Sequence, residues 1–128
     1  MNEGAKRSLY ERVGGYDTIA AFVDDLLPRV VGDPELGVYW RGHSNDTKRL
    51  ERQLTVDFIC ETIGGPVVYR GRDMKTSHEG LDISQAHWEV FMRHTIEALE
   101  NLEIHDKEMD DCRAVVENLS TDIVEAIA

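Results

Sequence analysis

Apolar residues in this chain recur at intervals of three and four, in blocks cut apart by glycine, and that pattern allows little besides packed helices. Ile19, Phe22, Val23, Leu26, Leu27 and Val30 form the first block. They make one apolar face on a helix expected over residues 17–31. Asp17 is expected to cap its start. Pro28 falls inside the pattern; it lacks a backbone donor and should bend the helix or shorten its last turn. A short mixed stretch follows at 36–40, carrying Val38, Tyr39 and Trp40. The second block covers residues 46–63, with Leu50, Leu54, Phe58 and Ile59 as expected core, and stops at Gly64-Gly65-Pro66. Glu51, Thr55 and Thr62 share a neighbouring face with Ile59. The third helix, over 85–101, starts at a Ser84 cap and turns Trp88, Phe91, Met92, Thr95 and Leu99 inward. The fourth, over 106–126, carries Met109, Cys112, Val116, Leu119, Ile123 and Ile127 as its stripe. Only Val67-Val68-Tyr69 carries a strand signal. The expected class is all-α.

The 128 residues suit one domain, taken as 1–128. Hydrophobic residues make up 41% of the chain, enough for a packed core. A net charge of −11 argues against binding phosphate backbones or anionic membrane surfaces. No run of about 18 apolar residues could span a bilayer, and the opening residues lack the apolar stretch of a signal peptide. The expected location is cytoplasmic. Cys60 and Cys112 stand alone and read as reduced thiols, although sequence alone leaves a disulfide open.

Enzyme signatures are missing. There is no G-x-S-x-G, phosphate-binding loop or G-x-G-x-x-G. His78-Glu79 opens like a zinc-protease motif, but Asp82 stands where the second histidine belongs. His87 and His94 lie seven apart on one helix, without partners for a zinc site. The informative segment is the irregular one around His78, expected to form a helical turn over 74–78. A histidine there, with a longer helix before it and two apolar helices after, can hold a flat apolar cofactor. Neutral imidazole is a good ligand for haem iron. Arg70, Arg72 and Lys75 cluster nearby and suit the haem propionates. Taken alone, the same residues read better as a solvated loop with a histidine that caps a turn.

Longer motifs change that balance. Ser8-Leu9-Tyr10-Glu11-Arg12-Val13-Gly14-Gly15 opens the chain's ordered pattern. Gly64-Gly65-Pro66 closes the second helix. Tyr69-Arg70-Gly71-Arg72-Asp73-Met74-Lys75-Thr76-Ser77-His78 follows, then Gly80-Leu81, Ile83 and His87-Trp88. In this order and spacing they resemble the group I truncated haemoglobins, over residues 8–119. The resemblance implies a two-over-two helical sandwich around haem b. It makes His78 the proximal iron ligand, its other ring nitrogen donating to a carbonyl of the preceding turn. Lys75 is implied to face a propionate, with Tyr69 and Arg72 as weaker candidates. Tyr39 and Trp40 match an aromatic pair over the haem edge, with Trp40 bulkier than the family's usual Phe. Met74, Phe58 and Phe91 complete the expected pocket lining.

On the distal side the chain departs from the family. Leu27 stands where many members have a tyrosine. Glu51 and Thr55 take the positions that usually supply glutamine or a similar donor, and Ile59 replaces a bulky aromatic that can gate a ligand tunnel. Leu27 cannot donate a hydrogen bond, an ionised Glu51 repels a polar ligand, and Thr55 offers one hydroxyl. The implied function is reversible binding of O₂, CO or NO at a five-coordinate iron, for oxygen transport or storage or for NO detoxification with a reductase. The protein is expected to be a monomer or weak homodimer. His43 is a candidate sixth ligand of low weight. Two alternatives are a peroxidase-like enzyme using Glu51 as acid–base group, and a haem-free helical interaction module.

Overall fold

The computed structural model describes residues 7–125. Seven helices follow in order: α1 (Leu9–Val13), α2 (Tyr16–Val31), α3 (Asn45–Thr62), α4 (Met74–His78), α5 (Gln85–Asn101), α6 (Asp106–Asn118) and α7 (Ser120–Ile123). A 3-10 turn, Gly37–Trp40, lies between α2 and α3. No strand occurs among the described residues, so Val67-Val68-Tyr69 is irregular backbone. The predicted turn over 74–78 and third helix over 85–101 keep their bounds. Ser84 caps the latter, accepting from the His87 amide at 3.0 Å.

α2 packs on α3, α5 packs on α6, and α2 crosses to α5, so two helix pairs lie one over the other. Their shared core joins Phe22, Val23, Leu26 and Val30 of α2 to Val56 and Cys60 of α3 and to Ala98 and Leu99 of α5. A second, smaller cluster, Trp88, Met92 and Ile123, lies under α4 and α7.

Several expectations change. The first helix begins after Gly15, not at Asp17, because Gly14 and Gly15 at φ 117° and 80° make a turn that leaves Asp17 inside the first helical turn. α1 is an additional short helix, capped by Ser8, whose hydroxyl accepts from the Glu11 amide at 3.2 Å. Pro28 neither ends nor visibly shortens α2. It lies on the exposed side near the helix end, where its missing donor costs little, and the next turn closes normally with the Gly32 amide donating to the Pro28 carbonyl at 3.0 Å. In α3 the expected core is rotated. Leu50 is 62% exposed, while Val56 and Cys60 are fully buried. Leu54, Phe58 and Ile59 are half-buried. The fourth predicted helix breaks at Leu119 into α6 and α7. Ile127 and Ala126, placed there from the pattern, lie outside the described residues.

The turn after α3 depends on close backbone approach. A Cβ on Gly65 would come within 2.6 Å of the Tyr10 ring and 2.9 Å of the Cys60 carbonyl. Tyr10 in turn donates its amide to the Ile63 carbonyl at 3.0 Å, seating α1 on the end of α3. Both cysteines are free. Burial pushes the Cys112 thiol up to about 11, so it is not a reactive thiolate at neutral pH.

Asp33 ties the end of α2 to α5. Its carboxylate lies 2.8 Å from His94 Nε2 and accepts from the amides of Glu35 and Leu36 at 2.8 and 3.1 Å. The His94 contact first, and the Glu35 amide second, hold its carboxyl below the ordinary value. A carboxylate lowered in the fold contributes stability that is complete above the ordinary carboxylate pKa and is lost as pH falls through the lowered value. Thermal melts of Asp33→Asn at pH 7 and pH 3 should therefore differ less than those of the wild type. Identical acid sensitivity in the two proteins would refute this role for Asp33.

Candidate functional site

Elements on two sides frame the site: α3 and the 3-10 turn on one, α4 with its flanking loops on the other. α4 is only five residues long, has no fully buried residue and packs chiefly on α7. His78 ends it and is half-buried. Its Nδ1 lies 2.8 Å from the Met74 carbonyl and 3.0 Å from Ser77 Oγ. A carbonyl only accepts, so Nδ1 carries the proton in that bond and the neutral ring presents a lone pair at Nε2. That is the tautomer a metal-binding imidazole needs.

Met74, expected as pocket lining, is also part of the second core cluster. Its side chain packs into the cluster of Trp88, Met92 and Ile123. Its contribution to the site is the carbonyl that orients His78. Phe91 links the two clusters and stacks on Trp88 at a centroid distance of 5.2 Å.

Arg70, Arg72 and Lys75 are exposed. None has a carboxylate within ion-pair distance among the described residues. Three such cations in so acidic a chain stay available to an anionic group. Tyr69 is less available than expected, because its hydroxyl donates to the Arg72 carbonyl at 2.5 Å. Its ring meets Phe58 edge-on, centroids 5.2 Å apart, so Tyr69 braces the wall formed by α3.

On that wall Leu27, Trp40 and Ile59 are half-buried beside the main core. Thr55 donates its hydroxyl to the Glu51 carbonyl one turn back at 2.7 Å, which spends its only donor. Glu51 Oε1 lies 2.8 Å from His43 Nδ1 and is shut away from solvent. The contact lacks hydrogen-bond alignment. Sequence reasoning had His43 near the distal helix but missed this pairing, because loop length leaves its partner open. The Tyr39 hydroxyl lies 2.7 Å from His87 Nδ1, joining the 3-10 turn to α5. Phe58 and Ile59 also border an internal apolar cavity of about 60 Å³, reaching Ile19, Phe22 and Val116.

These residues fit haem. A half-buried imidazole with Nδ1 committed to a carbonyl presents a single free nitrogen, cations without a carboxylate partner precede it in the chain, and α3 offers apolar side chains. Leu50 and Val68, each 62% exposed, and Leu81 at 43% add apolar surface on the same segments. No group of three or more His, Cys, Asp or Glu side chains placed to hold a metal ion occurs among the described residues.

Comparison with known proteins agrees. The model of the family described as bacterial-like globin matches residues 8–125. A group 1 truncated hemoglobin of Nostoc sp. (strain MUN 8820) is 33% identical over 92 residues, covering 72% of this chain and 75% of that protein. One from Chlamydomonas moewusii is 28% identical over 119 residues, 91% of this chain and 68% of its own length. The crystal structure of truncated hemoglobin from Tetrahymena pyriformis in its Fe(III) form superposes with a TM-score of 0.83 at 22% identity, covering 92% of this chain and 98% of that one.

Proposed function

This chain belongs to the bacterial-like globin family and within it to the group 1 truncated haemoglobins, and from that premise we propose that it binds haem b through His78 and takes up diatomic gases reversibly, with fast release. Membership makes it a globin-type haem protein that binds gases. The finer assignment rests on one observation: the 2.8 Å contact between His78 Nδ1 and the Met74 carbonyl, which leaves Nε2 as the free donor nitrogen. Haem supplies an iron coordination position for O₂, CO or NO. His78 would hold the group in place, and Lys75, Arg72 and Arg70 would balance its propionates. Leu27, Thr55 and Glu51, the residues expected around the gas, would offer it no free hydrogen-bond donor.

That shortage decides between uses. NO dioxygenation needs O₂ to persist until NO arrives, and an electron donor besides. A pocket in which Leu27, Thr55 and Glu51 offer no free donor suits rapid exchange of O₂ better. The cations without a carboxylate partner that precede His78 count against a haem-free interaction module. No described helix is long and apolar enough to cross a membrane.

Reconstitution tests the assignment. Purified protein titrated with haem should take up one equivalent and develop a Soret band that moves on reduction and again under CO. A chain that folds but takes up no haem refutes it.

A further inference from the structure

We infer that Glu125 is a positioning residue for the His78 imidazole, acting through a C-terminal strap that grips the segment on both sides of that histidine. The inference deepens the proposed function and rests on His78 being the iron ligand.

α4 cannot hold itself. An isolated five-residue helix is unstable in water, and this one buries no residue fully. Its partner is α7. Ile123 of α7 is buried in the cluster on which Met74 and Ile83 pack. Met74 is the residue whose carbonyl orients the His78 ring, so α7 fixes that ring from the N-terminal side.

On the C-terminal side the contacts are polar and more specific. The Glu125 amide donates to the Ile83 carbonyl at 2.9 Å. Glu125 Oε2 accepts from the Gly80 amide at 3.0 Å, and Oε1 from the Asp82 amide at 2.9 Å. One carboxylate thus spends both oxygens on two amides of the loop that begins at His78. Asp82 lies at φ 53°, a region unfavourable to residues with a side chain. Such a conformation persists where surrounding contacts hold it, and here its own amide is bound to Glu125. The loop also folds back on the histidine, the Leu81 amide donating to the His78 carbonyl at 3.2 Å. Glu125 does not touch His78. It sets the backbone on which the imidazole is carried.

The test uses the haem-loaded chain with Glu125→Ala and Glu125→Gln. Three readouts are followed: the iron–imidazole stretching band of the ferrous protein, haem transfer to an acceptor, and hydrogen exchange of the Gly80 and Asp82 amides. Charge-assisted hydrogen bonds at a surface site support an effect of about tenfold. Glu125→Ala should shift or broaden the band, speed haem transfer about tenfold and speed exchange of both amides about tenfold. Glu125→Gln keeps one acceptor oxygen and should lie between. An unmoved band with unchanged haem transfer overturns the inference, even if exchange rises or the melting temperature falls. His78→Gly separates it from the assignment beneath it. If that variant keeps the same band, the ligand assignment fails and the strap's role fails with it. If it loses the band while Glu125→Ala keeps it, only the strap's role fails.

Discussion

Replacing His78 by alanine should strip the purified protein of its pigment, weakening haem binding by at least about 100-fold. Removing a partner that merely orients a metal ligand typically costs 10–100-fold in affinity, and here the ligand itself would go. No other histidine stands on α4 or in its flanking loops, so none replaces His78 from the same element. His94 is held by Asp33, His87 by Tyr39, and His43 faces Glu51. His105 sits beside Asp106 at the start of α6. Added imidazole should partly restore the Soret band in this variant, because the Met74 carbonyl still offers an acceptor for a ring N–H. The measurement is absorbance per mole of folded protein, with and without imidazole. A variant that keeps the pigment and its ferrous spectrum would overturn the assignment.

Introducing a donor on the opposite side should have the second largest effect. Leu27→Tyr is expected to slow O₂ dissociation by roughly tenfold or more, since a hydrogen bond contributes about 0.5–1.5 kcal/mol and 1.4 kcal/mol is a factor of ten. The geometry makes the wild-type pocket poorer in donors than sequence suggested. The Thr55 hydroxyl, expected to offer one weak bond, is already donated to the Glu51 carbonyl. Glu51 points an oxygen at His43 and contributes no donor when ionised. CO is less polar and should respond less. Leu27→Phe supplies the ring without the hydroxyl and should leave O₂ release near the wild-type rate, which separates hydrogen bonding from bulk. Equal O₂ dissociation rates for wild type and Leu27→Tyr, by stopped flow or flash photolysis, would defeat the prediction.

What the sequence reveals follows from the range of the forces involved. Helix α5 and its Ser84 cap are visible because cap and first turn lie within three residues. The short helix at Met74–His78 is visible through its motif, together with the ring contact one turn back. The core face of α3 was misread because that helix carries apolar residues on more than one side. Val56 and Cys60 meet α2 and α5, whereas Leu50 points outward. Local periodicity gives the spacing but not which of two apolar stripes meets the rest of the protein. Contacts such as Asp33–His94, 61 residues apart, and Glu125–Gly80, 45 apart, leave no local signature. The hydroxyls of Tyr69 and Thr55 are a different case, since their partners are local. Each had a plausible role at the site, and each is spent on a backbone carbonyl within one turn.

The thin attachment of the short His78 helix has a consequence for how the protein matures. An element that buries so little opens at lower free energy than the helices it rests on. The arm that carries His78 is therefore expected to open before the sandwich behind it unfolds. Pigment can then enter or leave a finished globule, and how tightly the arm latches sets how long each molecule keeps its colour.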